Sequence, residues 1–147
     1  MLSGWRNVRL APGDFFLDRL DYISDGRRFE PGAANDIGVA GLAAGLDIIS
    51  SVGIEEIHAR VEMLTRTITR ILIAHGWDVL SPGAGHPIAG IVAARHPNVA
   101  SRAAARRLRE RRVVCAVRQG YLRLSPHFYI TRGELEALDR ILEKTGL

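Results

Sequence analysis

The stretch "VVCAVRQGYLRLSPHFYIT", residues 113–131, holds two short strand patterns that are separated only by Gln119 and Gly120. Two runs rich in β-branched and aromatic residues, with a two-residue break that contains glycine, predict a β-hairpin. The second run places Arg123 in an alternating pattern, which predicts that its side chain lies on one face of a sheet. The role of this permanent positive charge is the central question that the sequence raises.

Short strands and helices alternate ahead of this hairpin and a helix follows it. "WDVL" (77–80) and "IAGIVAARH" (88–96) predict two further strands. "GIEEIHARVEMLTRTITRILIAHGW" (53–77) has apolar residues at steps of three and four, which predicts a long amphipathic helix. "PNVASRAAARRLRERR" predicts a helix from about residue 98, and "TRGELEALDRILEKTG" predicts another, with Thr131 and Glu134 in capping-box spacing. We therefore expect a small α/β (α+β) layer structure, with a short sheet packed on helices.

The amino-terminal part of the chain follows a different pattern. Residues 1–35 are interrupted by glycine and proline, which predicts an irregular segment. "NDIGVAGLAAGLDIISSVG" (35–53) then opens with Asn35 and Asp36 as capping candidates and continues through small and apolar residues. Because these small residues let another backbone approach closely, we expect a buried linking helix over residues 36–52. The predicted organisation is an irregular segment 1–35 and a small domain 36–147.

Composition and charge narrow the class of protein. The chain has 147 residues, of which 47% are hydrophobic and 24% charged, as in one ordinary globular domain. No run reaches the length of about 18 apolar residues that a membrane helix needs, and no signal-peptide pattern opens the chain. One cysteine cannot form an internal disulfide. We therefore expect a cytoplasmic protein without a membrane partner.

Few general chemical signatures are present. The sequence has no P-loop and no paired-cysteine motif, and its five histidines are never at helical metal-ligand spacing, so we expect no metal site. Cys115, between valine and alanine, is interpreted as a small buried hydrophobe. Arg102, Arg106 and Arg109 share a helix face that could grip nucleic-acid phosphates. Because few aromatic residues lie nearby, a solvated helix face is the favoured interpretation and nucleic acid is not the expected partner.

Two segments carry a family resemblance. "RRFEPGAAN" (27–35), followed by a small-residue helix, and "VRQGYLRLSPHFYIT" (117–131) resemble the carboxyl-terminal part of class V aminotransferases. The isopenicillin-N-epimerase-like, cysteine-desulfurase-like and kynureninase-like branches are the most similar. The resemblance implies the small carboxyl-terminal domain of a fold type I enzyme, with a mostly antiparallel sheet. It also implies pyridoxal 5'-phosphate (PLP) as cofactor, with residues 1–35 as a remnant of the large-domain and active-site region.

The resemblance implies roles for individual residues. The arginine that matches Arg123 grips the α-carboxylate of an amino-acid substrate, and the fixed fork of guanidinium donors suits that pairing. An arginine on the exposed face of a half-buried strand is the alternative. His127, near the same strand end, is assigned to the substrate together with Arg123. The segment matching "EPGAAN" approaches the cofactor phosphate, and an aromatic residue can approach from the upstream region. The implied cofactor contacts are Trp5, Gly32, Ala33 and Asn35.

This sequence also departs from the family pattern. Ala33 stands where the family usually has threonine, and Ile130 stands where it has asparagine. The family lysine that forms an imine with PLP has no counterpart upstream, and the single lysine, Lys144, lies near the carboxyl end. We therefore expect the chain to be catalytically silent alone. The implied partners are an amino-acid substrate in the complete enzyme, a missing large domain or full-length subunit, and a second copy in a homo-oligomer such as a dimer. The alternatives are a stand-alone interaction or regulatory module and an arginine-rich nucleic-acid-binding domain.

Overall fold

A computed structural model describes residues 21–30, 34–80 and 90–147. Contacts between Cα atoms divide the chain into two compact units, Met1–Ile48 and Ile49–Leu147. The predicted irregularity of residues 1–20 and the first two residues of the strand predicted at 88–96 lie outside the described residues.

The first unit contains a short 3₁₀ helix and most of one α-helix. The 3₁₀ helix spans Gly26–Phe29, and the Asp25 side chain caps it by accepting a hydrogen bond from the Arg27 backbone N–H at 3.0 Å. The α-helix, α1, spans Asp36–Val52. Asn35 caps it through Oδ1, which accepts from the Gly38 N–H at 3.0 Å, as its sequence position predicted.

The prediction that α1 is buried is wrong. None of its side chains is buried, and the large apolar ones are solvent-exposed, with Ile37 at 89% and Leu42 at 64% exposure. The small and apolar residues indicated a helix that favours close packing, but no element in the described part of the chain covers it. The pattern therefore predicted the helix correctly and its surroundings incorrectly.

In the residues that the structure describes, the second unit contains three helices and four strands beyond the end of α1. The helices are α2 (Ile54–Ala74), α3 (Ser101–Glu110) and α4 (Arg132–Thr145). The strands are β1 (Asp78–Leu80), β2 (Val92–Arg95), β3 (Ala116–Arg118) and β4 (Tyr121–Leu124). All neighbouring strands are antiparallel, in the spatial order β1-β2-β4-β3. The predicted α/β (α+β) fold with a short antiparallel sheet is confirmed.

The predicted hairpin joins β3 and β4. Gln119 and Gly120 both have positive φ, 50° and 84°, which is the backbone that a tight two-residue turn between twisted strands requires. Arg118 pairs with Tyr121 across this turn. The hydroxyl of Ser101, the first residue of α3, donates to the Gly120 carbonyl oxygen at 2.5 Å. The turn is therefore tied to the helix layer.

The core lies between one face of the sheet and the three helices. α2 packs against β1 and β2, α3 packs against β3 and β4, and α4 packs against α2 and α3. The side chains that meet there are apolar and almost fully buried; they include Leu64, Leu72, Ala94, Leu108, Leu122 and Leu142. Because successive strand residues point to opposite faces, the other face of the sheet carries a separate set of side chains.

The two strands of the hairpin are shorter than their sequence patterns predicted. β4 ends at Leu124, two residues before Pro126, which has no N–H to continue a strand ladder. β3 begins at Ala116 rather than at Val113, and the preceding Arg112 has a positive φ of 64° that interrupts an extended chain. Cys115 therefore lies just outside the strand and is half-buried. The capping box of α4 is present in full, with bonds in both directions between Thr131 and Glu134.

Among residues 21–30, 34–80 and 90–147, no single helix is both long and apolar enough to cross a bilayer. The helices Asp36–Val52 and Ile54–Ala74 pass the test of length and composition only when counted together as one broken span.

Candidate functional site

The sheet face that points away from the helices brings several charged residues together. The strand register places Arg95, Tyr121 and Arg118 in one row across β2, β4 and β3. The next row holds Ala93, Arg123 and Ala116 in the same order. Arg123 is therefore on this open face, as its alternating pattern predicted, while its neighbours Leu122 and Leu124 are buried in the core.

The strand neighbours of Arg123 have small side chains. Both residues directly opposite it, Ala93 on β2 and Ala116 on β3, are alanines, whose side chains are too short to cover it. Arg123 is half-buried, yet among the described residues it has no hydrogen-bond or ion-pair partner. A cation that is partly removed from water and unpaired is favourably placed to bind an anion.

The two other arginines on this face do have contacts within the protein. An Nη atom of Arg95 lies 3.8 Å from a carboxylate oxygen of Asp78, and its guanidinium carbon lies 5.8 Å from the centre of the Tyr121 ring. Arg118 donates to the carbonyl oxygen of Val117 at 3.1 Å. Arg123 thus differs from Arg95 and Arg118 in having no internal acceptor.

His127 lies in the loop after β4 rather than in the strand. Its ring is exposed and stacks on Tyr129, with ring centres 4.2 Å apart, and lies 4.5 Å from the Phe128 ring. Its carbonyl oxygen accepts from the Ile130 N–H at 3.0 Å, which closes a turn. Within the described ranges, no hydrogen bond or ring contact joins His127 to Arg123, so the structure does not bring these two predicted residues into direct contact.

The α2 residue Arg60 holds this loop, a role that the sequence did not predict. Its Nη2 donates to the Ile130 carbonyl oxygen at 2.6 Å and its Nε to that of Phe128 at 3.4 Å. Phe128 and Ile130 lie 68 and 70 residues after Arg60 in the sequence. No local pattern could have revealed this contact.

Two cavities lie near these elements, and Arg123 lines neither. One, of about 480 Å³, is bordered by His127, Tyr129 and Glu134 among others. The other, of about 740 Å³, lies at the start of α3 and is bordered by Arg95 and Arg102 among others. Arg123 therefore lies outside both of these cavities, on the sheet face that points away from the helices.

Comparison with known proteins identifies the family. The family model for aminotransferase class-V matches residues 14–138. The chain belongs to this family. A relative, the "Uncharacterized aminotransferase YcbU" of Bacillus subtilis (strain 168), is 31% identical over 125 residues, which are 84% of this chain and 33% of the relative. The resemblance inferred from the sequence is thus confirmed.

Solved structures share the fold of this chain. A cysteine desulfurase from Thermococcus onnurineus NA1 has a TM-score of 0.81 at 24% identity, over 99% of this chain and 39% of its own. A C-DES mutant with glycine covalently linked to its PLP cofactor has a TM-score of 0.75 at 24% identity, and the match covers 96% of this chain and 37% of the mutant. The chain therefore spans between 33% and 39% of the length of these three proteins.

The residues assigned to the cofactor by the class V resemblance are largely beyond structural description. Trp5, Gly32 and Ala33 lie outside the described residues. Asn35 is described, and its Oδ1 atom caps α1 through Gly38. Its assignment to the cofactor remains a prediction.

The side chains of this chain do not fit PLP by themselves. Imine formation with the PLP aldehyde needs a lysine, and the only one is Lys144. Lys144 is exposed in the last turn of α4, in the helix layer, whereas Arg123 is on the opposite face of the sheet. The sheet face that carries Arg123 therefore has no lysine of this chain that could form the imine with PLP.

Other candidate groups have ordinary surroundings. Partial burial raises the pKa of the Cys115 thiol, an effect that the positive charge of Arg109 opposes, so the reactive thiolate is disfavoured. Arg102, Arg106 and Arg109 are exposed on α3, whose buried residues are Ser101, Ala104, Ala105 and Leu108. Across residues 21–30, 34–80 and 90–147, no group of three or more histidine, cysteine or acidic side chains is arranged to hold a metal ion.

Proposed function

We propose that this chain is the substrate-orienting carboxyl-terminal part of a PLP-dependent enzyme of the class V aminotransferase family that acts on an amino acid. Arg123 binds the α-carboxylate of that substrate. The observation that supports this role is that Arg123, a half-buried residue on the open face of the sheet, has no hydrogen-bond or ion-pair partner among the residues that the structure describes.

The chemistry of Arg123 favours a carboxylate over other ligands. Two parallel N–H···O bonds between a guanidinium and a carboxylate give strength and a fixed orientation. The flanking Ala93 and Ala116 leave room for a small planar anion beside the guanidinium. The charge stays on arginine at all ordinary pH values, so binding does not depend on the protonation of the protein side.

The rest of the reaction requires groups from outside this chain. PLP supplies the electron sink for amino-acid chemistry when it is bound, and a lysine forms an imine with it. In our proposal that lysine and the wall that encloses the Arg123 surface come from a large domain or a full-length subunit. The complete enzyme is a cytoplasmic homodimer, and the present chain is catalytically silent alone.

Carboxylate binding is testable on this chain by NMR. The ¹⁵N-labelled protein is titrated with L-alanine at constant ionic strength while the arginine Nε–H signals and the backbone amide signals of β4, which all variants share, are followed. We expect the Arg123 signal to move and an Arg123→Gln variant to bind at least about tenfold more weakly, because charge-assisted hydrogen bonds are lost. Arg118→Gln is the matched control, since it removes an exposed arginine from the same face and should keep the affinity. Equal affinity in all three proteins would refute the role of Arg123.

Catalytic silence is tested with the purified chain, added PLP and a panel of amino acids. We expect no turnover above that of free PLP. Turnover that persists in an Arg123→Ala variant would contradict both the silence and the role of Arg123. Turnover that this variant abolishes would contradict the silence alone.

A second candidate function is a stand-alone interaction or regulatory module that docks onto a complete enzyme subunit. The exposure of the apolar residues of α1 favours it, because surfaces of this kind occur at protein interfaces. Analytical ultracentrifugation over a wide concentration range tests the tendency of this surface to associate. A monomer at every concentration would count against this candidate.

A further inference from the structure

The loop between β4 and α4 is held by a cation from a distant helix. Arg60, in the first half of α2, donates to two carbonyl oxygens of this loop, those of Phe128 and Ile130. Arg60 is partly buried and has no ion pair with a carboxylate in the described part of the chain. Its hydrogen bonds are therefore directed to the loop backbone.

The position of this loop gives the contact its importance. The loop begins directly after Leu124, the last residue of β4, and ends at Thr131, the cap of α4. It carries the stacked rings of His127 and Tyr129. Arg123 lies only two residues before Ser125, where the loop starts. The loop therefore continues directly from the strand end that carries Arg123.

Arginine is suited to this contact for a geometric reason. Its guanidinium offers several donors in a rigid fork, so one side chain can reach two carbonyl oxygens two residues apart. A lysine at position 60 would present one compact ammonium group that satisfies one of these carbonyls well. A glutamine would have no charge to strengthen either bond.

We propose that Arg60 is a positioning residue for substrate binding. It fixes the loop of residues 125–130, and through it the end of β4 and the His127–Tyr129 stack, in the arrangement in which Arg123 binds a carboxylate. This inference rests on the proposed function of Arg123. It adds a second arginine that acts without touching the substrate.

The experiment compares three variants of the full chain. Arg60→Gln removes the charge, Arg60→Lys keeps it, and Arg70→Gln is the matched control. Arg70 is exposed on the same helix and bonds only to Thr67 within that helix, at 3.2 Å. The readouts are L-alanine affinity by NMR and hydrogen exchange of the Ile130 amide, which donates to the His127 carbonyl. Both are measured on protein that circular dichroism shows to be folded.

We expect Arg60→Gln to bind L-alanine about threefold to tenfold more weakly and to exchange the Ile130 amide faster. Arg60→Lys should fall between Arg60→Gln and the parent protein, and Arg70→Gln should match the parent. If Arg123→Gln weakens binding but Arg60→Gln leaves affinity and exchange unchanged, the positioning role is wrong while the proposed function stands. An equal loss in Arg70→Gln would also overturn it, because the effect would then come from net charge. If Arg123→Gln itself keeps full affinity, the proposed function fails and the positioning role with it.

Discussion

Two consecutive helices, α1 and α2, are built on different principles. α1 has 17 residues, mostly small or apolar, and buries none of them. α2 has 21 residues, with charged side chains on one side and Leu64, Ile68 and Leu72 buried on the other. An amphipathic pattern specifies which face of a helix packs inside its own chain. A helix of mostly small and apolar residues, such as α1, favours burial without specifying which element covers it. The contrast shows that an amphipathic pattern predicts the packing of a helix, whereas a mostly apolar one predicts only the helix itself.

The largest expected effect comes from the same substitution made in each helix. Leu72→Ala in α2 removes a side chain that is 1% exposed and leaves a cavity, so the free energy of unfolding should fall by about 2–5 kcal/mol. Leu42→Ala in α1 removes an exposed side chain and should change it by no more than about 0.5 kcal/mol. Urea denaturation of both variants and the parent protein measures the two changes.

Equal losses of unfolding free energy in the two variants would contradict the expected difference between α1 and α2. They would mean that α1 is covered in solution, and the concentration dependence of the unfolding midpoint would then identify self-association as the cause.

The next effect concerns the caps of α1 and α4. Thr131→Ala removes the hydroxyl that accepts a hydrogen bond from the Glu134 N–H, which is one of the two bonds of the capping box. The free energy of unfolding should therefore fall by about 1 kcal/mol. Asn35→Ala removes the corresponding acceptor of α1. Because α1 has no buried side chain, we expect lower helix content by circular dichroism with little change in the main unfolding transition. A loss in that transition as large as for Thr131→Ala would show that α1 unfolds together with the core.

The smallest effect is a pH dependence confined to the α4 cap. Hydrogen bonds from the Thr131 backbone N–H and hydroxyl hold the pKa of Glu134 below its usual value of 4.5. A carboxylate with a lowered pKa in the folded state stabilises it above the unfolded pKa, and that contribution is lost as the pH falls through the folded pKa. Glu134→Gln should therefore be less stable than the parent at neutral pH, with the difference shrinking below about pH 4.5. A difference that stays constant from neutral pH down to strongly acidic pH would contradict this assignment.

The sequence predicted those parts of the fold that depend on local chemistry. The periodicity of α2, the capping box at Thr131 and the turn at Gln119 and Gly120 each involve residues a few positions apart, and each was confirmed. The strand ends were less accurate because Pro126 and the positive φ of Arg112 limit strand pairing in ways that hydrophobic alternation does not reveal.

The candidate site was predictable only in part for the same reason. The position of Arg123 on the open face follows from alternation within β4, and its family motif is local. The two alanines that flank it are set by strand register, which joins position 93 to 123 and 123 to 116. The contact between Arg60 and Ile130 links positions 70 residues apart. Neither the strand register nor the Arg60 contact can be predicted from the order of neighbouring residues.

The strand that carries Arg123 is fastened at both ends. Ser101 of α3 holds the turn that precedes it, and Arg60 of α2 holds the loop that follows it. Both segments that flank this short strand are thus bonded to a helix. In the proposed function, the ligand meets a guanidinium whose backbone is already in place, and the entropy lost on binding is limited to the side chain of Arg123 and the ligand itself. We therefore expect small anions to be distinguished by shape more than by charge.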